Sequence, residues 1–166
     1  LGDPTGRSTR YRQPVYESGP DGLPGLVALA RSWLEGSSVD RDDRYGIARL
    51  MEQRLQRSDR FRYSLEGQPR DPNLDPVEDF VTKNPAGHCE YFASALVLML
   101  RSQGIPARMV VGYKTDEWNQ FGGFFQVRQL HAHTWVEAYL EPQDIPVNRV
   151  RGAADRDWSA GAWLRL

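Results

Sequence analysis

Apolar positions along this chain follow two spacings, which divide it into helices first and strands later. After Pro24 the apolar side chains fall on one face of a helix, and Gly36 ends the pattern. A second helical stripe follows Asp42 and Asp43, two acids that favour a helix start. Both helices have charged outer faces, as packing helices do. The two stripes consist of Leu26, Leu29, Ala30, Trp33 and Leu34, then of Ile47, Leu50, Met51 and Leu55.

The middle of the chain predicts a short strand and a short helix. Residues 61–65 alternate between apolar and polar side chains, as a half-buried strand does. Asp75 is a helix N-cap, Pro76 takes the first helical position, and Glu78 reaches back as in a capping box. This helix ends early, because Asn84 stands before Pro85.

Residues 89–103 predict a third long helix, which Gly104 ends. Its apolar side chains surround nearly the whole circumference, so we expect this helix to lie buried at the centre of the domain.

The second half of the chain reads as strands. Residues 108–113 predict a buried strand, residues 124–129 and 132–140 two antiparallel neighbours, and residues 163–166 the start of one more. The polar loops 115–123 and 141–161 flank the predicted hairpin, and we expect them to shape a substrate groove. The order of elements predicts an α+β fold, with the buried helix packed on an antiparallel sheet.

Composition narrows the range of functions. The chain has 166 residues, enough for one domain, which we place at residues 23–166 after an extended lead-in at residues 1–22. A net charge of -1 argues against nucleic-acid binding and against attraction to anionic membranes. The longest apolar run, residues 95–100, is too short to span a bilayer. Because the first residue is Leu1 rather than Met, we expect the chain to be part of a longer protein.

Cys89, the only cysteine, stands where a loop turns into the central helix. The free N–H groups and the dipole of a first helical turn favour a thiolate. His131 and His133 lie two residues apart on a predicted strand and share a face with Trp135, so either histidine could supply a base. His88 is a poor candidate, because adjacent side chains diverge at a loop-to-helix junction. The residues alone also fit an inert buried thiol.

A zinc site is a further alternative, because Cys89, His131 and His133 are suitable ligand types. Their spacing argues against it, since no pair has the short separation of common zinc motifs.

Four ordered blocks resemble one protein family. They are residues 87–95 (GHCEYFASA), 100–108 (LRSQGIPAR), 111–113 (VGY) and 131–137 (HAHTWVE). Together they resemble the bacterial transglutaminase-like superfamily, and within it the transglutaminase domain of TgpA-type membrane proteins. The resemblance is dense over residues 75–140 and resumes at residues 161–166.

The resemblance implies a papain-like fold with a Cys-His-Asp triad and no cofactor or metal. Cys89 matches the nucleophile and His133 the general base, while His131 stands where relatives often carry an acid and is expected to support the site from behind. The triad aspartate should follow residues 163–166, beyond Leu166, and neither Asp155 nor Asp157 is assigned in its place. Without that carboxylate we expect this chain to be a weak catalyst.

Other positions have predicted roles beside the pair. Trp135 and Glu137 share the face of His133, and Glu137 would bind either that region or a neighbouring arginine. The N–H of Cys89 would hold the oxyanion, with the Tyr63 hydroxyl as a guess for the second donor. A tyrosine that only packs in the core is the alternative for Tyr63.

The resemblance also implies a reaction and a location. The reaction is acyl transfer on peptide or protein amides through a thioester, ending in crosslinking, deamidation or hydrolysis, and some relatives are proteases. The alternative is a non-catalytic binding module at the cell envelope. We expect a soluble domain on the extracytoplasmic side of a membrane-anchored parent, with a protein substrate or a cell-envelope peptide as its partner.

Overall fold

The structure is a computed structural model that describes residues 23–67, 69–145 and 162–166. The predicted lead-in at residues 1–22 and most of the long polar segment 141–161 lie outside the described residues. The division of the chain into a lead-in and one domain therefore stays a prediction.

Four α-helices form where the sequence predicts them. They are α1 (Pro24–Glu35), α2 (Arg44–Arg57), α3 (Pro76–Thr82) and α4 (Cys89–Ser102). The side chain of Asp43 caps α2 by accepting from the N–H of Gly46, and that of Asp75 caps α3. Two short 3-10 turns follow later, Gln129–His131 and Pro142–Asp144.

The sequence predicted that Glu78 closes a capping box on its own helix, and this prediction is wrong. Its buried carboxylate instead accepts hydrogen bonds from the N–H groups of Gly25 (2.6 Å) and Leu26 (2.9 Å), at the start of α1. The approach needs a glycine, because a Cβ on Gly25 would lie 2.5 Å from the Glu78 carboxylate and 2.4 Å from Thr82. Glu78 therefore caps a helix that is distant in sequence, which a local motif cannot reveal.

In the described part of the chain, seven strands form three small sheets. They are β1 (Arg62–Tyr63), β2 (Ala86–Gly87), β3 (Ala107–Tyr113), β4 (Trp118–Asn119), β5 (Phe124–Phe125), β6 (Ala132–Leu140) and β7 (Ala162–Arg165). The main sheet is antiparallel, with β6 between β3 and β7, while β1 pairs with β2 in parallel and β4 pairs with β5. The predicted α+β class is confirmed.

The predicted pairing of strands 124–129 and 132–140 is wrong. β5 is only two residues long and pairs with β4, because the chain reverses at Gly123 (φ 67°). The neighbours of β6 are instead β3 and β7, which are distant from each other in sequence.

β3 is not the buried strand that its apolar sequence predicts. It lies at an edge of the described sheet, and Met109, Val111 and Tyr113 are 44%, 67% and 60% exposed. A run of apolar residues indicates a strand, but it does not show how many neighbouring elements cover that strand.

Helix α4 is the centre of the fold, as predicted. It packs on β3 and β6 on one side and on the other three helices elsewhere. From β6 the side chains of Thr134, Val136, Ala138 and Leu140 are buried. Among the described residues, no helix has both the length and the apolar character needed to cross a membrane.

The cap on α1 yields a stability prediction. Glu78→Ala leaves two helix N–H groups without their carboxylate, so we expect the free energy of unfolding to fall by about 2–3 kcal/mol. Glu78→Gln should lose less, because its amide oxygen still accepts one bond. Urea denaturation measures both, with exposed Glu66→Ala as the control. A Glu78→Ala protein as stable as the control would contradict this cap.

Candidate active site

The entry to α4 is held by a buried ion pair. Asp79 is fully buried and accepts from the Arg70 guanidinium (3.2 Å) and from the Asn84 side chain (2.9 Å). Arg70 also donates to the carbonyl oxygens of Asn84 and Ala86, and its guanidinium lies 4.1 Å from the centre of the Tyr91 ring. These contacts fix the backbone just before the helix begins.

Cys89 is the first residue of α4 and is half-buried. Just before it, β2 pairs with β1, which places Gly87 beside Tyr63. A Cβ on Gly87 would lie 2.7 Å from the Tyr91 ring, so a glycine lets the chain pass close to the helix. The first N–H groups of a helix have no acceptor within the helix, so this backbone presents donors next to the thiol.

Cys89 and His133 line one cavity of about 380 Å³. Its walls come from α2, from Phe61 and β1, from the first two turns of α4, from the residue after β3, and from β6 and the end of β7. The lining residues are Glu52, Leu55, Gln56, Phe61, Tyr63, Cys89, Phe92, Ala93, Leu96, Lys114, His133, Thr134, Trp135, Val136, Arg165 and Leu166.

His133 is the second residue of β6 and is half-buried, opposite Gly112 of β3. Within the described part of the chain, no hydrogen bond joins its ring to the Cys89 sulfur. Catalytic hydrogen bonds are often long in proteins without substrate and tighten only in the complex. The arrangement therefore brings a thiol and an imidazole to the same cavity without yet pairing them.

Tyr63 is the tyrosine that contacts the thiol. Partial burial of its hydroxyl, and then the neighbouring Cys89 sulfur, raise the pKa of Tyr63 above its ordinary value of 10.0. The Tyr63 hydroxyl and Cys89 thus interact electrostatically, although the tyrosine side chain as a whole is 57% exposed. A tyrosine that only packs in the core would not have this contact.

Trp135 forms a stacked layer on the sheet beside His133. The guanidinium of Arg165 lies over its ring, 4.4 Å from the centre. The far edge of the indole covers Gly112, where a Cβ would lie 2.8 Å away. Because Gly112 is the cross-strand partner of His133, the indole and the imidazole occupy adjacent places on one face.

The other predicted residues do not line the cavity. His131 lies in the 3-10 turn before β6 rather than on the strand; it is buried, its Nδ1 accepts from the Arg128 N–H, and its Nε2 lies 3.2 Å from Glu117. It supports the loop that carries β4 and β5, and so the predicted shared face with His133 is wrong. Because His131 turns to Glu117, the three residues weighed as zinc ligands are not brought together.

Two further positions have structural partners. Glu137 lies on the His133 face of β6, but its carboxylate accepts two hydrogen bonds from Arg108 of β3. His88 packs its ring against Tyr91 and lies 3.9 Å from Glu90.

Sequence reasoning missed part of the cavity wall. Glu52 and Gln56 come from α2, which the sequence described only as a packing helix, and Lys114 and Arg165 were given no role. Glu52 falls on the apolar stripe of α2, one residue after Met51, and is buried. An acidic residue within the buried stripe of α2 was the sequence signal that could have pointed to this part of the cavity wall.

A family model described as the transglutaminase-like superfamily matches residues 31–163. The chain is similar to the uncharacterized protein YebA of Bacillus subtilis, at 36% identity over 141 residues, which are 82% of this chain and 18% of that protein. It is also similar to a protein-glutamine gamma-glutamyltransferase of Pseudomonas aeruginosa, at 41% identity over 83 residues, which are 50% of this chain and 12% of that protein.

Solved structures agree with these relatives. Two crystal structures of the periplasmic domain of TgpA from Pseudomonas aeruginosa, one of them bound to ethylmercury, match 93% of this chain. Their TM-scores are 0.63 and 0.64, at 27% and 26% identity, and the chain covers 45% and 43% of those domains. The chain thus spans less than a fifth of the curated relatives and less than half of the solved domain.

The contact between Tyr63 and Cys89 yields a prediction. Cys89→Ala removes a sulfur that raises the pKa of Tyr63, so the pKa should move down towards 10.0. It should not reach that value, because partial burial of the phenol remains. NMR titration of 13C-tyrosine protein measures the shift, with Tyr63→Phe identifying the resonance. An unchanged Tyr63 titration in Cys89→Ala would show that the phenol does not contact the thiol.

Proposed function

Because the chain belongs to the transglutaminase-like superfamily, we propose that it catalyses acyl transfer from peptide or protein amides through a thioester on Cys89. The observation that carries the proposal is the cavity that Cys89, at the N-terminus of α4, shares with His133. A thiol at a helix N-terminus beside an imidazole is the arrangement in which a cysteine becomes a nucleophile.

In the proposed mechanism the Cys89 thiolate attacks the carbonyl carbon of the amide. The N–H of Cys89 stabilises the oxyanion, and the Tyr63 hydroxyl is the second donor that we propose. The C–N bond then breaks, His133 gives its proton to the leaving amine, and a thioester remains on Cys89. An amine that attacks the thioester yields a crosslink and restores the thiol, whereas water yields the carboxylic acid.

Relatives support a glutamine side chain as the acyl donor. One is named as a protein-glutamine gamma-glutamyltransferase. The match to a periplasmic domain supports an extracytoplasmic location for this chain as well. Acceptance of water in place of an amine would make the same site a deamidase or a protease.

Substitution of the two groups tests the assignment. Cys89→Ala should abolish incorporation of a fluorescent amine into a glutamine peptide, because no thioester can form. His133→Gln should lower the rate about 10²–10⁴-fold, the usual contribution of a general acid–base. It should also slow iodoacetamide labelling of Cys89 near pH 6, where only an activated thiolate reacts.

His88→Gln is the matched control, because His88 packs on Tyr91 outside the cavity. It should keep both the rate and the labelling. Incorporation that persists in Cys89→Ala would show that the activity does not come from this site. No incorporation by the unsubstituted protein would favour the binding module instead.

We further propose that the third member of the triad is an aspartate that follows Leu166. The N–H of Leu166 donates to the carbonyl of Val136, and the direction of β7 at this point leads along β6 towards His133. A chain extended past Leu166 with the natural sequence should exceed the 166-residue chain by orders of magnitude in kcat, on the scale of about 10⁴ seen when a triad acid is lost. Equal turnover by the two chains would show that no such acid is needed.

A further inference from the structure

Building on the proposed function, we infer that the cavity selects acyl donors with a carboxylate near the reactive amide, and that Lys114 and Arg165 bind that carboxylate. The substrate class is thus an acidic peptide or protein segment. A charge of the cavity wall can bind a ligand only if no other side chain already neutralises it.

The acidic side of the cavity is already neutralised. Among the described residues that line the cavity, Glu52 is the only one with an acidic side chain. It is buried, forms an ion pair with Arg49, and accepts a hydrogen bond from the side chain of Gln56 (3.2 Å). Its charge is therefore offset within α2 and leaves little attraction for a positively charged ligand.

Arg165 lacks an acidic partner for a specific reason. Its cross-strand neighbour is Glu137, the natural carboxylate for it on the sheet. The recorded partner of Glu137 is Arg108, whose Nε and Nη2 both donate to the same carboxylate oxygen at 2.9 and 2.7 Å. Within the described residues, no carboxylate lies at ion-pair distance from Arg165.

The stack on Trp135 prepares the Arg165 guanidinium for a ligand. A guanidinium that lies over an aromatic ring is held in plane, with its N–H edge available for a planar group. A carboxylate is the planar anion that accepts two parallel N–H bonds from such an edge. This pairing distinguishes a carboxylate from a neutral amide at the same place.

Lys114 adds a second cation to the wall. It follows β3 directly, and its backbone N–H donates to the carbonyl of His131, close to the start of β6. The chain has only one other lysine, Lys83, which pairs with Asp71. Among the residues that the structure describes, no acid pairs with the ammonium of Lys114.

The resulting charge is local to the cavity. The chain as a whole has a net charge of -1, so a general attraction for anions is not expected. The remaining wall is largely apolar, including Leu55, Phe61, Phe92 and Leu96. An apolar pocket with two unpaired cations suits the stem of a glutamine side chain followed by an acidic neighbour.

Alkylation of Cys89 measures this charge without requiring turnover. Iodoacetate and iodoacetamide are nearly equal in size, and each forms a C–S bond as iodide leaves, but only iodoacetate is an anion. The rate with iodoacetate is divided by the rate with iodoacetamide, for Cys89 and for free 2-mercaptoethanol. At low salt this ratio should be roughly 3–10-fold higher for Cys89 than for 2-mercaptoethanol. It should fall as salt increases.

Variants connect the ratio to the two residues. Lys114→Gln and Arg165→Gln should each lower the normalised alkylation ratio at least about twofold. The double variant should bring it close to one, the value for 2-mercaptoethanol. Arg31→Gln removes one positive charge from the exposed face of α1 and should leave it unchanged. Because Lys114 is exposed, its variant should fold normally even if loss of the Arg165 stack disturbs the sheet. A ratio unaffected by Lys114→Gln and by a folded Arg165→Gln overturns the inference.

Peptides then test the substrate class and separate the two proposals. A set of glutamine peptides with Asp or Asn at each position from about three residues before to three after the glutamine is scored for the thioester by mass spectrometry. Preference for Asp at one or two positions, lost in the double variant, supports the inference. Equal acylation by Asp and Asn peptides overturns it while the proposed function stands. If no peptide acylates Cys89, the proposed function fails, whatever the alkylation ratio.

Discussion

The buried pair of Arg70 and Asp79 is the interaction on which the site depends. One guanidinium joins the loop before α3, the carboxylate of α3, and the carbonyls of Asn84, before β2, and of Ala86, in β2. An isolated buried charge would be costly, so the pair is stable only with its full set of hydrogen bonds. That requirement fixes the chain where β2 meets β1, and it thereby sets Cys89 and Tyr63 beside each other.

Each element contributes different chemical groups to the cavity. The start of α4 supplies the thiol and free N–H groups, β6 supplies the imidazole, and Arg165 and Trp135 form a stacked layer between β6 and β7. The elements are rigid for different reasons, since α4 packs against the sheet and against the other three helices, while β6 is held by two neighbouring strands. Groups on rigid elements keep their spacing, which proton transfer between a thiol and an imidazole requires.

Much of the fold could be predicted, because helix caps and periodic apolar stripes are local signals. Asp43, Asp75 and the all-round apolar α4 each indicated an element that the structure confirms. Long-range choices were not available from the sequence: Glu78 caps α1 rather than its own helix, β5 pairs with β4 rather than with β6, and His131 turns to Glu117. Each depends on a partner that is set by the tertiary fold. Cys89, His133 and Tyr63 line one cavity, and their catalytic roles stay a prediction, whereas Lys114 and Arg165 lacked any local pattern.

The cap on α1 also has a consequence for the order of folding. Glu78 supplies the carboxylate, and it lies 53 and 52 positions after Gly25 and Leu26, whose N–H groups donate to it. Closing a loop of that length costs chain entropy before the cap can repay it. The first turn of α1 is therefore completed late, when α3 has already docked, although α1 precedes α3 in the chain. During synthesis the first turn of α1 therefore stays frayed until α3, the segment that leads into α4, has been made.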